Sequence, residues 1–103
     1  KKAIELYEMA AKRGHASAQH NLGLFYDQGS HGVTQSDQRA FEFYTLAAEQ
    51  GISVSQFNLG RMYAEGEGIE QSVSKAREWW TKAAAQGNEH AIDRLKILDE
   101  FGV

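Results

Sequence analysis

Apolar and small residues recur along this chain at helical spacing. Ala18, Leu22, Phe25 and Tyr26 stand at i, i+4, i+7 and i+8, and Ala40, Phe43, Tyr44, Ala47 and Ala48 at i, i+3, i+4, i+7 and i+8. This spacing predicts helices over about 16–28 and 37–50, with corresponding ones over about 54–65, 73–86, 2–13 and 89–100. Gly14, Gly51 and Gly87 follow the second helix of each pair, where a left-handed C-terminal cap favours a residue without Cβ. Ser53-Val-Ser-Gln56 reads as a capping box for the helix that follows. Ser36 and Ser72 are expected N-caps, each worth about 1 kcal/mol.

The pattern is a repeat. Gln19, Asn21, Leu22, Gly23, Tyr26 and Gly29 return 37 residues later as Gln56, Asn58, Leu59, Gly60, Tyr63 and Gly66. Gly32, Gln35, Ala40, Ala47, Ala48 and Gly51 return 36 later as Gly68, Gln71, Ala76, Ala83, Ala84 and Gly87, so the first loop carries one extra residue. At the start, Ala3, Tyr7, Ala10, Ala11 and Gly14 match the second half of a unit. At the end, Ala91 and Leu95 keep the register of Ser55 and Leu59, while Arg94, Lys96 and Asp99 replace Asn58, Gly60 and Tyr63. A two-helix hairpin cannot bury its apolar stripe alone, so the repetition predicts a stack in which each unit covers its neighbour. The expected organisation is one repeat domain: a half-repeat over 1–15, repeats over 16–51 and 52–87, and a capping half-repeat over 88–103. The chain opens on Lys1 with no initiator Met and mid-repeat, as a fragment of something longer would.

A unit of this length with Leu-Gly-x-x-Tyr on its first helix is similar to the tetratricopeptide pattern, whose period is about 34 and whose signature ends in Pro. This chain has no proline and places Gly66-Glu-Gly68 between its helices. That combination resembles the Sel1-like repeat family. The resemblance rests on Ala18-Gln-His-Asn-Leu-Gly-Leu-Phe-Tyr26, Gly32-Val-x-Gln35 and the run from Ala40 to Gly51, and on their counterparts Ser55 to Tyr63, Gly68-Ile-x-Gln71 and Ala76 to Gly87. Ser55 departs from the usual small Ala, and the final helix is eroded. The resemblance implies an all-α, right-handed α/α superhelical solenoid of tandem antiparallel hairpins, acting as a protein–protein interaction scaffold or adaptor. It implies no catalysis and no cofactor. One branch of the family links its helices by disulfides, which a chain with no cysteine cannot do.

Repeat comparison separates scaffold from surface: positions identical between copies serve the stack, and positions that differ are open to a partner. On the first helix of each repeat, opposite the apolar stripe, stand His20, Leu24 and Asp27, answered by Phe57, Arg61 and Ala64. Leu24 and Phe57 are large apolar residues where a bland solvated face would carry Lys or Glu. Stacking would align them into a ridge on the concave side, so these six residues are the candidate partner-binding groove, with Phe57 and Arg61 of hot-spot type. The alternative is that Phe57 packs on the neighbouring repeat. Trp79 and Trp80 align with Phe43 and Tyr44 and are expected in the packing instead. Gly23 and Gly60 sit mid-helix at a cost of about 1 kcal/mol each, which points to a close approach there.

Charge and chemistry narrow the function. Eleven basic and 14 acidic residues give a net charge of −3 without a long like-charge run, which speaks against nucleic acid, and no apolar run approaches a membrane span. His15, His20, His31 and His90 lack metal-ligand spacing. Glu65, Glu67 and Glu70 cluster in the second loop without acidic counterparts in the first, and read as a solvated loop. Gly66-Glu-Gly68 lacks the third glycine and preceding strand of a dinucleotide site, and no nucleophile elbow occurs. The expectation is therefore a non-enzymatic module with a protein or peptide partner, or else a docking appendage of a larger enzyme. Exposed terminal helices would also allow self-association.

Overall fold

The computed structural model describes residues 2–102, which form six α-helices and no strand. Helix α1 spans Lys2–Lys12, α2 Ala16–Gln28, α3 Asp37–Glu49, α4 Ser53–Glu65, α5 Val73–Ala85 and α6 Glu89–Glu100. Every helix expected from the spacing is present, with its ends within one residue of the expectation. Each helix packs chiefly on its neighbours in sequence, which draws the chain into an elongated stack of 46 × 24 × 17 Å. This is an α/α helical repeat solenoid, in which α2, α4 and α6 are the first helices of successive hairpins and α1, α3 and α5 the second.

Small residues on the second helices let the layers close up. Ala40, Ala47, Ala76 and Ala83 are fully buried, and Leu22, Tyr44, Leu59, Met62 and Trp80 fill the space between them. Burying each of the larger side chains is worth about 2 kcal/mol. The close approach expected at the mid-helix glycines is present, and its cause is an aromatic ring. A Cβ on Gly23 would lie 2.6 Å from the Tyr44 ring, and one on Gly60 2.5 Å from the Trp80 indole nitrogen. Trp80 is thus a packing residue, while Trp79 is half-buried with the Lys82 ammonium 5.8 Å from its ring.

The helix ends are set by hydrogen bonds that recur with the repeat. Ser36 and Ser72 cap α3 and α5, their hydroxyls accepting from the Arg39 and Lys75 amides at 3.1 and 3.2 Å. After α3, the Gly51 N–H donates to the Ala48 carbonyl and the Ile52 N–H to the Ala47 carbonyl, the paired bonds of a Schellman turn, with Gly51 at φ +96°. Gly87 and Asn88 repeat it after α5. This turn overrides the expected capping box. Because Ile52 closes the Schellman turn, it also takes the extended N-cap position of α4, and Ser53 becomes the first helical residue. Gln56, freed from that role, donates to the Ala48 carbonyl at 3.1 Å. Asn88, not singled out by the spacing, caps α6 by accepting from the Ala91 amide at 2.9 Å.

Glutamines tie successive layers together. The Gln50 amide donates to the Gln19 side-chain oxygen at 2.9 Å and to the Gly14 carbonyl at 2.8 Å, while Gln19 donates to the Ala11 carbonyl at 3.2 Å. Gln86, Gln56, Gly51 and Ala48 rebuild the same clamp one unit later. Among the described residues no buried side-chain nitrogen or oxygen lacks a partner, as interiors of this kind require.

Candidate functional site

His20, Leu24 and Asp27 lie on α2, and Phe57, Arg61 and Ala64 on α4. All six are half-buried. The structure gathers four of them around the junction of the two helices. The Asp27 carboxylate accepts from the Tyr44 hydroxyl at 3.1 Å and from the Arg61 guanidinium at 2.8 Å. Arg61 also donates to the Glu67 carboxylate and lies 3.8 Å from Glu65. Nearby, His20 Nδ1 is 2.8 Å from the Ser55 hydroxyl, and Leu24 packs against the apolar clusters on both sides of α2.

Phe57 and Ala64 belong to the next layer. The Phe57 ring stacks on Trp80 at 6.3 Å and lies 5.5 Å from the His90 ring, with the Arg94 guanidinium 5.4 Å from its centre. Ala64 packs in the same cluster, and its carbonyl accepts from Gln71 at 2.7 Å. Leu24 and Phe57 therefore do not stand free as a ridge. Phe57 packs on the following repeat, and each contributes a part-exposed flank to the surface.

Burial sets the protonation of this region. It pushes the Tyr44 hydroxyl well above its usual range, and the Asp27 charge beside it adds to the effect. Burial lowers the His20 pKa below its ordinary 6.5, which keeps the ring neutral at physiological pH. For Glu67, burial raises the pKa; Arg61 opposes this, and the neighbouring Glu65 and Asp37 add to it.

Three partners of the site were not singled out from the sequence. Ser55 was visible only as a departure from alanine, and its hydroxyl proves to be the His20 partner. Glu65 and Glu67, read as a solvated loop, hold Arg61, whereas Glu70 of the same group is exposed. The signal was available in one form: Arg61 and Asp27 both replace apolar residues of the other copy, Leu24 and Ala64.

The arrangement offers ordered donors, acceptors and part-exposed apolar flanks, which suit recognition. Among the described residues no group of three His, Asp or Glu side chains is placed to hold a metal ion. His15, His31 and His90 are exposed and lie apart; His31 stacks on Phe25 at 3.9 Å. No described helix is long and apolar enough to cross a membrane.

The stacked hairpins, the glycine-aromatic contacts and the repeated caps agree with a match of residues 1–15, 16–52 and 53–88 to the Sel1 repeat. The chain belongs to the Sel1 repeat family. Solved structures similar to it carry the same repeats. A Sel1 repeat protein from Oxalobacter formigenes is 44% identical with a TM-score of 0.88, the match covering 91% of this chain and 70% of that one. The protein c5321, a protective antigen present in uropathogenic Escherichia coli strains and displaying an SLR fold, is 38% identical with a TM-score of 0.94. That match covers 98% of this chain and 21% of the antigen. Helicobacter pylori cysteine rich protein B, at 23% identity and a TM-score of 0.82 over 89% of this chain and 68% of its own, shares the fold. No curated protein matches this Sel1 repeat chain. Sel1 repeat proteins are in general non-catalytic and serve as protein–protein interaction modules.

Proposed function

We propose that this Sel1 repeat chain is a scaffold or adaptor that binds a peptide or partner protein on the concave face of its first helices, through His20, Leu24, Asp27, Phe57, Arg61 and Ala64. The observation that carries this reading is the state of Arg61. Its side chain is 21% exposed and is held on one side by Asp27 and on the other by Glu65 and Glu67. A guanidinium fixed in this way loses little conformational entropy on contact, which is how preordered residues favour binding. Phe57, one helical turn away and held by Trp80, His90 and Arg94, supplies an aromatic flank of the kind enriched at contact hot spots.

The test begins with selection of peptides from a random library on the immobilised chain, followed by backbone amide shift mapping of a selected complex. Shifts concentrated at the six residues are expected. Shifts confined to the loops at 29–36 and 66–72 would overturn the assignment. Val54 lies on the same face of α4, three residues before Phe57, and is 48% exposed, so Val54→Arg disturbs no core contact. That variant should keep the native melting temperature and weaken the selected peptide about tenfold.

A further inference from the structure

The second helices of the hairpins leave an open groove on their outer face. It runs between α1 and α3 and holds about 500 Å³. Met9, Ala11, Phe43 and Leu46 make its floor, with Met9 55% and Leu46 45% exposed. The Tyr26 ring, stacked on Phe43 at 5.8 Å, fixes that part of the floor. At 100° per residue Leu46 stands about 160° from Tyr44, the residue under α2, so the groove faces away from the first helices and their concave side. Continuation of the stack leaves this face open: α3 lies between α1 and α5, yet its Arg39, Glu42, Leu46 and Glu49 are all exposed. A unit ahead of α1 would cover Ala3 and Tyr7, as α2 covers their counterparts Ala40 and Tyr44, and would not enter the groove.

The charges on its rim have an order. Glu5, Glu8 and Lys12 line it from α1 and Arg39 from α3. By the repeat register Arg39 stands level with the position three residues before Glu5, so the rim reads Arg39, Glu5, Glu8, Lys12 over ten residues of helix, about 15 Å. None of the four is neutralised from within. Among the described residues no ion pair reaches any of them, although Lys12 has the i+4 spacing from Glu8 that favours one. Glu5 and Glu8, three residues apart and alike in charge, repel each other, and Glu8 is half-buried. A cation between them would relieve both. In the following groove the chain supplies a cation itself: Lys82 replaces Leu46 and lies 5.8 Å from the ring of Trp79, the counterpart of Phe43. The rim there reads Lys75, Glu42, Thr45, Glu49, so the two grooves ask for different partners.

We propose that the groove between α1 and α3 is a docking site for an amphipathic partner helix whose charges complement this order. Leucine-type anchors lie over Met9, Phe43 and Leu46, two central lysines or arginines meet Glu5 and Glu8, and an acid at each end meets Arg39 and Lys12. The rim charges follow one another by three, three and four residues, which is the spacing of one helix face, so a helix laid along the groove meets all four at its own turns.

The probe is a 16-residue synthetic helix stapled on its solvent face, with a leucine stripe bordered by glutamate, lysine, lysine and glutamate at that spacing. A matched probe exchanges the two signs. Each is titrated into the chain and followed by backbone amide shifts. The first should shift Glu5, Glu8, Met9 and Leu46 and bind about tenfold tighter than the exchanged probe, the sum of four exposed pairs, with the advantage reduced in high salt. A Glu5→Lys, Glu8→Lys chain should reverse the preference, and Leu46→Asp should weaken both probes. Should the double lysine variant melt early, Arg39→Glu, on an exposed side chain of α3, gives the same reading at one end by weakening the first probe and strengthening the exchanged one. The proposal is overturned by absence of binding, by equal affinity of the two probes, by a preference that neither variant chain changes, by shifts concentrated at His20, Phe57 and Arg61, or by a dimer of the chain alone through this groove.

Discussion

The hairpin α2–α3 and the hairpin α4–α5 bury the same glycine under different rings, and the consequences spread through each layer. Tyr44 lies on Gly23 and sends its hydroxyl to Asp27, whose charge Arg61 balances. Trp80 lies on Gly60 and sends its indole N–H to the Phe57 carbonyl at 3.1 Å. An indole bonded to the backbone needs no carboxylate, and the counterpart of Asp27 is Ala64. A second exchange runs beside the first. His20 meets Ser55 through a hydrogen bond, whereas its counterpart Phe57 packs in the layer where alanine, Ala91, replaces that serine. Difference between repeats is therefore not in itself freedom to serve a partner. Here much of it is internal matching, in which each polar substitution on α2 has its complement on α3 or α4.

The shared feature of the two hairpins should be the most costly to break. Gly60→Val places a branched side chain where Trp80 lies, and overpacking of this kind costs about 3 kcal/mol, although valine is the better helix former. Gly23→Val should lose a similar amount against Tyr44. Urea unfolding of both variants measures it, and unchanged stability would refute the close packing. In a Trp80→Leu background the Gly60→Val penalty should shrink, because the ring that makes the site tight is gone.

The next effect tests the difference between the hairpins. Trp80→Tyr carries the Tyr44 solution into a layer whose matching residue is Ala64, leaving a buried hydroxyl without its carboxylate. Such an orphan costs about 2 kcal/mol. Adding Ala64→Asp should return about 1 kcal/mol of it. If Ala64→Asp destabilises Trp80→Tyr as much as it destabilises the native chain, ring and carboxylate are not coupled in this way.

The sequence made the scaffold legible because a solenoid writes its core at fixed offsets. Leu22 and Leu59, Ala47 and Ala83, and Gly23 and Gly60 each announce a buried position by recurring. The same method marked Asp27 and Arg61 only as positions that differ from their copies, Ala64 and Leu24, and was blind to their meeting across 34 residues. Glu67 looked solvated for the same reason, since its role depends on where an arginine of the preceding helix points. Local signals also competed. Ser53 and Gln56 had capping-box spacing, but the Schellman turn through Gly51 and Ile52 decided where α4 begins.

Arg61→Leu copies Leu24 into the second repeat and removes the charge shared by Asp27, Glu65 and Glu67. These groups are part-exposed, so the loss should be about 1 kcal/mol, and Asp27→Ala added to it should recover part by removing the unbalanced carboxylate. A double-mutant cycle on thermal melts checks the coupling. Additive losses would place Arg61 outside the Tyr44–Asp27 network.

The smallest effect separates the polar pair from its apolar counterpart. Burial lowers the pKa of His20 in the folded chain, so the unfolded chain takes up the proton first. Stability is then full above pH 6.5 and falls as pH drops below it, until the folded-state pKa is reached. Glu67 is shifted upward, which acts in the opposite sense and cannot mimic this loss. Between about pH 7.5 and 5.5 the urea midpoint of the native chain should decline, by an amount limited by the partial exposure of the ring. The double variant His20→Phe, Ser55→Ala writes the Phe57 and Ala91 pair into the first junction and removes the titrating group. Its midpoint should be flatter over the same range. An undiminished slope would assign the pH response to other groups and leave the His20–Ser55 bond a packing contact alone.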